Sequence, residues 1–149
     1  MIRTRVEWAG GTGATYDQGM PELDYAMLAE FAKVEADRLT VVGASYTHVF
    51  APEVPTTHLL HVAGRVRAKV DGSEFPLRVR FSDPRSNVEI AIEGVLDPKH
   101  AGRPYGDKVG VMFAAGFTVP ISSEGLYEVF IEIDGEQVRR LAFDVSVGR

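Results

Sequence analysis

From Leu39 to the C-terminus, apolar and polar residues alternate almost one by one. A period of two suits β-strands buried on one face and wet on the other, and little else. The sharpest case closes the chain. Tyr127, Val129, Ile131 and Ile133 share one face and Glu128 and Glu132 the other, with Phe130 interrupting the polar side. Asp134-Gly135 follows, a pair suited to the two positive-φ positions of a type I′ hairpin turn. The return strand sets Arg139, Leu141, Phe143, Val145 and Val147 against Arg140, Ala142, Asp144 and Ser146. Upstream, Val62, Gly64, Val66, Ala68 and Val70 alternate with Arg65, Arg67 and Lys69, and Asp71-Gly72 supplies a turn. Leu77, Val79 and Phe81 then alternate with Arg78 and Arg80, which predicts a second hairpin. After Asp83-Pro84, a turn initiator, Val88, Ile90 and Ile92 alternate with Glu89, Ala91 and Glu93. Leu39–Val49, dense in β-branched residues, and Val111–Val119 complete seven strands.

Tyr25–Val34 carries two readings. Its residues are strong helix formers, and Tyr25, Leu28, Ala29 and Ala32 would line one helical face. Read instead as a strand that turns at Glu35–Arg38 into Leu39–Val49, it forms a hairpin and brings the strands to eight. Ahead of it, residues 1–22 show little apolar periodicity and are punctuated by Gly10, Gly11, Gly13 and Gly19. They read as an irregular arm, with a short strand around Ile2–Trp8. Residues 23–149 then form one domain, as a chain of 149 residues suggests.

Without cysteine the chain has neither disulfides nor thiolate chemistry. Its apolar runs are far shorter than the roughly 20 residues of a membrane-spanning helix, and no signal-peptide pattern opens it, so the expectation is a cytoplasmic protein. A net charge of −5 argues against nucleic acid as a partner, because phosphate backbones are held by surplus Lys and Arg. Residues 61–80 are the exception, with five basic and two acidic side chains.

Ala26-Met27-Leu28-Ala29-Glu30-Phe31-Ala32, a short charged turn and Leu39-Thr40-Val41-Val42-Gly43-Ala44 open a familiar pattern. A loop with Pro52 and Pro55 follows, and Gly125-Leu126-Tyr127, Asp134-Gly135 and Phe143-Asp144-Val145 close it. Over roughly residues 23–147 the chain resembles an uncharacterised bacterial family of small single-domain proteins, known only as a domain of unknown function. The resemblance implies an immunoglobulin-like antiparallel β-sandwich of about eight strands, with the 26–34 segment as its first strand. It implies no activity and transfers no functional residue. From the residues themselves, Gly125-x-Tyr127-x-Val129 has the spacing of a tyrosine corner, with Val129 where antibody domains carry cysteine. A plain buried strand aromatic is the other reading of Tyr127.

Motifs for catalysis are missing. Gly10-Gly11-Thr12-Gly13 lacks the strand before and helix after that a phosphate loop needs, and Ser45 falls in an expected strand as a pleat residue. His58 and His61 are three apart, which on a strand sends them to opposite faces, and His48 and His100 have no local acidic partner. No catalytic residue, metal or cofactor is therefore expected. Two surfaces remain as candidates for a partner. One is the basic face of Arg65, Arg67, Lys69, Arg78 and Arg80, expected on one hairpin and partly balanced by Glu89 and Glu93. The other is the 97–108 connection, whose Lys99, His100, Arg103 and Tyr105 would form a polar tip. The resulting expectation is a non-enzymatic binding or assembly module. Its partner is a protein, or a second copy reached through residues 1–22 by strand addition. The alternatives are a carbohydrate- or lipid-binding module, of which carbohydrate would need Trp8 exposed with Tyr16 or Tyr105, and a structural component of a phage or other particle.

Overall fold

In the computed structural model, which describes residues 20–148, Asp134 and Gly135 both take positive φ, 53° and 82°. That is the turn an Asp-Gly pair favours. It joins the last two of the ten strands among the described residues: β1 (Glu22–Ala29), β2 (Phe31–Glu35), β3 (Arg38–Val42), β4 (His48–Ala51), β5 (Thr56–Lys69), β6 (Phe75–Ser82), β7 (Glu89–Leu96), β8 (Lys108–Ile121), β9 (Gly125–Ile133) and β10 (Glu136–Val147). Residues 1–19, and with them the expected strand around Ile2–Trp8, Tyr16 and most of the arm, lie outside the described residues.

One sheet has the order β1-β5-β8 and the other β4-β10-β9-β6-β7, while β2 and β3 form a separate hairpin. With that hairpin set aside as an insertion, the connectivity is that of an immunoglobulin domain. β1 pairs with β5 and β5 with β8 in one sheet, while in the opposite sheet β9 lies between β6 and β10. All pairings are antiparallel except β4 with β10, where the chain returns alongside its final strand. The fold is thus an immunoglobulin-like β-sandwich. Among the described residues no helix is long and apolar enough to cross a membrane.

The inner faces carry the residues that alternation assigns to the core. Leu60, Val62 and Val66 of β5 and Val109, Val111 and Phe113 of β8 meet Val79 and Phe81 of β6 and Val129 and Ile131 of β9 in one cluster. Tyr127 lies at its centre with no exposed surface, its ring stacked on Phe81 at 5.7 Å and on Phe143 at 5.5 Å. The phenol donates to the Ser123 carbonyl at 2.7 Å, so the tyrosine corner forms.

Three expectations are corrected. Tyr25–Val34 is extended, not helical, but it contains two strands. A bend at Glu30 ends β1 and sends β2 into the hairpin with β3. Leu39–Val49 is likewise two strands. Gly43 and Ser45 adopt positive φ of 61° and 66°, and Ser45 sits in the resulting turn with its N–H donated to the Leu28 carbonyl, not in a pleat. The third correction bears most on function. The segments around Val62–Val70 and Leu77–Phe81 form no hairpin, because residues 70–74 carry the chain from one sheet across to the other. Alternation fixes which face of a strand is buried, not which sheet holds it.

Candidate functional site

The crossover at residues 70–74 divides the basic face. Arg65, Arg67 and Lys69 belong to β5 and Arg78 and Arg80 to β6, in different sheets of the sandwich, so they do not form one surface. Each group also meets its own acids. Arg78 lies 3.3 Å from Glu93 and 3.6 Å from Glu132. Arg80 lies 2.9 Å from Glu89 and 3.4 Å from Glu132, with its guanidinium 4.3 Å from the Phe130 ring centroid. Phe130, which breaks the polar alternation of its strand, is there as the platform for Arg80. Opposite charges directly across neighbouring strands stabilise the sheet and leave little positive potential for an anionic partner.

On the other sheet, Asp24 is the organising residue. Its carboxylate, with a side chain only 12% exposed, accepts from Arg65 at 2.6 Å and from Arg67 at 3.4 Å, and Glu22 also pairs with Arg67. The Asp24 hydrogen bond raises the Arg65 pKa above its ordinary value and keeps it charged. The Arg65 guanidinium lies 5.5 Å from the Tyr25 ring centroid and 5.8 Å from that of Tyr105. Gly110 leaves the room for it: a Cβ there would fall 2.9 Å from Arg65 Cδ. The structure therefore brings Arg65, Arg67 and Tyr105 together from the two candidate surfaces and adds Tyr25, Asp24 and Glu22. Sequence spacing gave no signal for these, because the pairing of β1 with β5 that joins them spans about 40 positions.

The 97–108 connection is more ordered than a floppy crossing. Asp97 caps a short 3₁₀ turn at Pro98–His100, accepting from the Lys99 N–H at 3.0 Å and bonding His100 Nδ1 at 2.8 Å. His100 thus has the acidic partner that its sequence neighbourhood was not expected to give. These two contacts, with the Lys99 N–H first, hold the Asp97 carboxyl below its usual range. Arg103 and Tyr105 are exposed, and Tyr105 is bridged to Lys108. Between this turn and the β2–β3 hairpin lies a cleft of about 280 Å³, lined by Val34, Asp37, Asp97, His100 and Gly102 among others. Among the described residues no group of three or more His, Asp or Glu side chains is placed to hold a metal ion.

His58 and His61 do take opposite faces of β5. His61 stacks on Phe31 at 5.3 Å outside the sheet, whereas His58 points to the Tyr46 hydroxyl, 2.8 Å away, and to the Phe143 ring at 5.5 Å. Burial pushes the Tyr46 phenol up to about 12, helped by Glu30, and lowers the His58 pKa below its ordinary value of 6.5. The folded protein therefore refuses a proton that the unfolded chain accepts. Stability falls as pH drops below the unfolded value and stops falling at the folded one. Melting temperature measured from about pH 7.5 to about pH 5 should decline less in His58→Gln than in the parent.

One surface has a different chemistry. Three neighbouring alanines, Ala29, Ala32 and Ala63, are small enough to let the β2–β3 hairpin lie close on the outside of the β1-β5-β8 sheet, where they form a second buried cluster with Leu39, Val41 and Ala114. The hairpin covers that face only in part. At its open end Phe31 sits directly across from Val42, its ring rests on His61, and Leu59 follows two residues along the same face of β5. These three remain exposed at 44%, 52% and 54%. Single exposed apolar residues are ordinary, but Phe31 and Val42 paired across the hairpin, with the Phe31 ring against His61 and an exposed leucine two residues from that histidine, have the side-chain types of an interface core.

Comparison with known proteins bears on the family. No curated protein matches the chain. Among solved structures, an alkylpurine DNA glycosylase from Pseudomonas fluorescens, bound to DNA containing an abasic site analogue, is 11% identical with a TM-score of 0.49. The match covers 91% of this chain but 33% of the glycosylase, so the chain spans about a third of that protein's length. An immunoglobulin-like protein from Pseudomonas aeruginosa is 13% identical with a TM-score of 0.45, covering 87% of this chain and 98% of that one. A β-glucosidase from Listeria innocua in complex with glucose is 13% identical with a TM-score of 0.39, covering 68% of this chain and 15% of the enzyme. A family model described as a family of unknown function (DUF6941) matches residues 24–146.

Proposed function

Because the chain belongs to the DUF6941 family, whose function is unknown, we propose from its geometry alone that it is a non-enzymatic protein-binding or assembly module of the cytoplasm. The observation that carries this reading is the exposure of three large apolar side chains, Phe31 and Val42 paired across the β2–β3 hairpin and Leu59 on β5. A protein partner suits it better than an anion, since the arginines meet carboxylates and the patch itself carries no charge. A carbohydrate or lipid gains no comparable support. The clefts beside Asp97 and beside Tyr46 measure about 280 and 250 Å³, below the roughly 300–1,000 Å³ typical of ligand pockets. Self-association is the first form to test. Light scattering over a concentration series should show a mass that rises above the monomer. Leu59→Lys and Phe31→Lys should each weaken that association about tenfold or more, with little change in melting temperature, because large interface side chains dominate binding energy. A chain that stays monomeric throughout the series would remove self-assembly from the reading.

A further inference from the structure

His61 adjoins both elements of the apolar patch. The Phe31 ring rests on its imidazole at 5.3 Å, and Leu59 precedes it by two positions, which puts the two side chains on one face of β5. The imidazole is seated in the structure. A Cβ at Gly116 of β8 would fall 2.5 Å from His61 Nε2 and 2.8 Å from its Cδ2, so the ring lies against the backbone of that strand, and its Nδ1 is buried. A contact that covers Phe31 and Leu59 therefore covers the imidazole as well. Histidine is the side chain that ordinarily gains its charge between about pH 8 and pH 5. Taking that charge out of water without a partner is costly.

We infer that His61 makes this contact pH-dependent: it forms while the imidazole is neutral and is released when the imidazole takes a proton. The inference rests on the patch being the interface proposed above, and adds what controls it. In a two-fold contact both copies bring the same face, so each association covers two imidazoles. A contact that excludes a proton the free chain accepts is at full strength above the titration. Below it the association weakens by up to about tenfold per pH unit for each imidazole excluded. The groups packed around His61 leave this response to the imidazole itself. Its strand partners are Ala29 of β1 and Gly116 of β8, and β8 carries no charged residue from Val109 to Ile121. On β2, Lys33 and Glu35 pair with each other at 2.9 Å, and Arg38 of β3 lies across from Glu35 at the far end of the hairpin from Phe31 and Val42. Glu30, between β1 and β2, lies over Gly43, where a Cβ would fall 2.6 Å from its Cδ. On β5 itself, His58 is on the opposite face with Tyr46, and Arg65 is held by Asp24.

Light scattering of the full chain over a concentration series, at about pH 7.5 and about pH 5.5, tests this. Association should be about tenfold or more weaker at the lower pH in the parent and in His58→Gln, and should not change with pH in His61→Gln. Near-UV circular dichroism that is the same at both pH values separates release from unfolding. Equal association of the parent at the two pH values would overturn the switch and leave the interface standing. The same loss in His61→Gln would also overturn it, by assigning the proton to another group. Nile red, an uncharged dye that fluoresces on apolar surface, reads the patch without a partner, with Phe31→Lys as the blank. If the parent is monomeric at both pH values, self-assembly fails as a reading and dye binding decides. A fall at the lower pH in the parent but not in His61→Gln upholds the switch, and equal dye binding at the two pH values overturns it.

Discussion

Replacing Gly64 with alanine is expected to destabilise the sandwich by about 3 kcal/mol or more, the upper range for adding a methyl group to a packed site. Gly64 lies in the middle of β5, where β1 comes closest. An added Cβ would fall 2.3 Å from the Tyr25 carbonyl oxygen, 2.8 Å from the Phe113 ring and 3.0 Å from Ala26 Cα. Two of these three neighbours are backbone atoms of β1, and backbone held in a hydrogen-bonded ladder has little room to shift. The strain is therefore relieved by displacing β1, and with it the anchoring of Asp24 against Arg65 and Arg67. For a chain of this size the melting temperature should fall by about 6–12 °C, with exchange of β1 amides accelerating before the rest. Gly94→Ala supplies the contrast. A Cβ there meets nothing within 4 Å, so that variant should be neutral or stabilised by up to about 1 kcal/mol. Equal effects at the two glycines would mean that the approach of β1 to β5 is looser than the distances imply.

Gly64 also marks the boundary of what a single sequence discloses. Alternation placed it on the inner face of a strand, correctly, but nothing in the neighbouring residues says that another backbone comes within reach. The strands and turn of the C-terminal hairpin were legible because they are encoded within about twenty consecutive residues, but the bulge between Gln137 and Arg139, which buries Val138 where strict alternation puts Arg139 on the apolar face, was not. The strand character of Tyr25–Val34 was harder, since helix-forming residues occupy an extended segment. There tertiary pairing with β5 and β3 overrides local propensity. The basic residues failed as a single surface for a related reason. Arg67 and Arg78 are close in sequence and similar in pattern, yet a five-residue crossing at 70–74 puts them in different sheets. The partners that neutralise them, Asp24 and Glu132, come from about 40 to 55 positions away. Of the two candidate surfaces, only the meeting of Arg65, Arg67 and Tyr105 survives as geometry. The exposed group at Phe31, Val42 and Leu59 was invisible because each residue sits in a strand where its type looks like core. Phe31 and Val42 sit at the open end of the β2–β3 hairpin and Leu59 is outside the cluster that the hairpin buries, so all three stay uncovered.

Tyr127 should be the most sensitive aromatic in the chain, and two substitutions separate its two roles. Tyr127→Ala empties the space between Phe81 and Phe143, both fully buried. Large-to-small replacements of this kind cost about 3–5 kcal/mol. Tyr127→Phe keeps the ring and removes only the hydroxyl, leaving the Ser123 carbonyl without the donor it holds at 2.7 Å. That should cost about 1–2 kcal/mol, the range for a lost hydrogen bond with a partly desolvated partner left behind. Urea denaturation measures both on one scale. If the hydroxyl merely decorates a core aromatic, the phenylalanine variant will match the parent and the whole effect will belong to the ring. If the corner fixes the turn into β9, the phenylalanine variant will also speed amide exchange at Ser123–Gly125 while the far end of the strand is unaffected. This second pattern is expected, because Val129, where antibody domains carry a cysteine, has no cross-sheet covalent bond to hold the strand in place. In a sandwich without disulfides, the phenol's hydrogen bond is the tie between that strand and the loop before it.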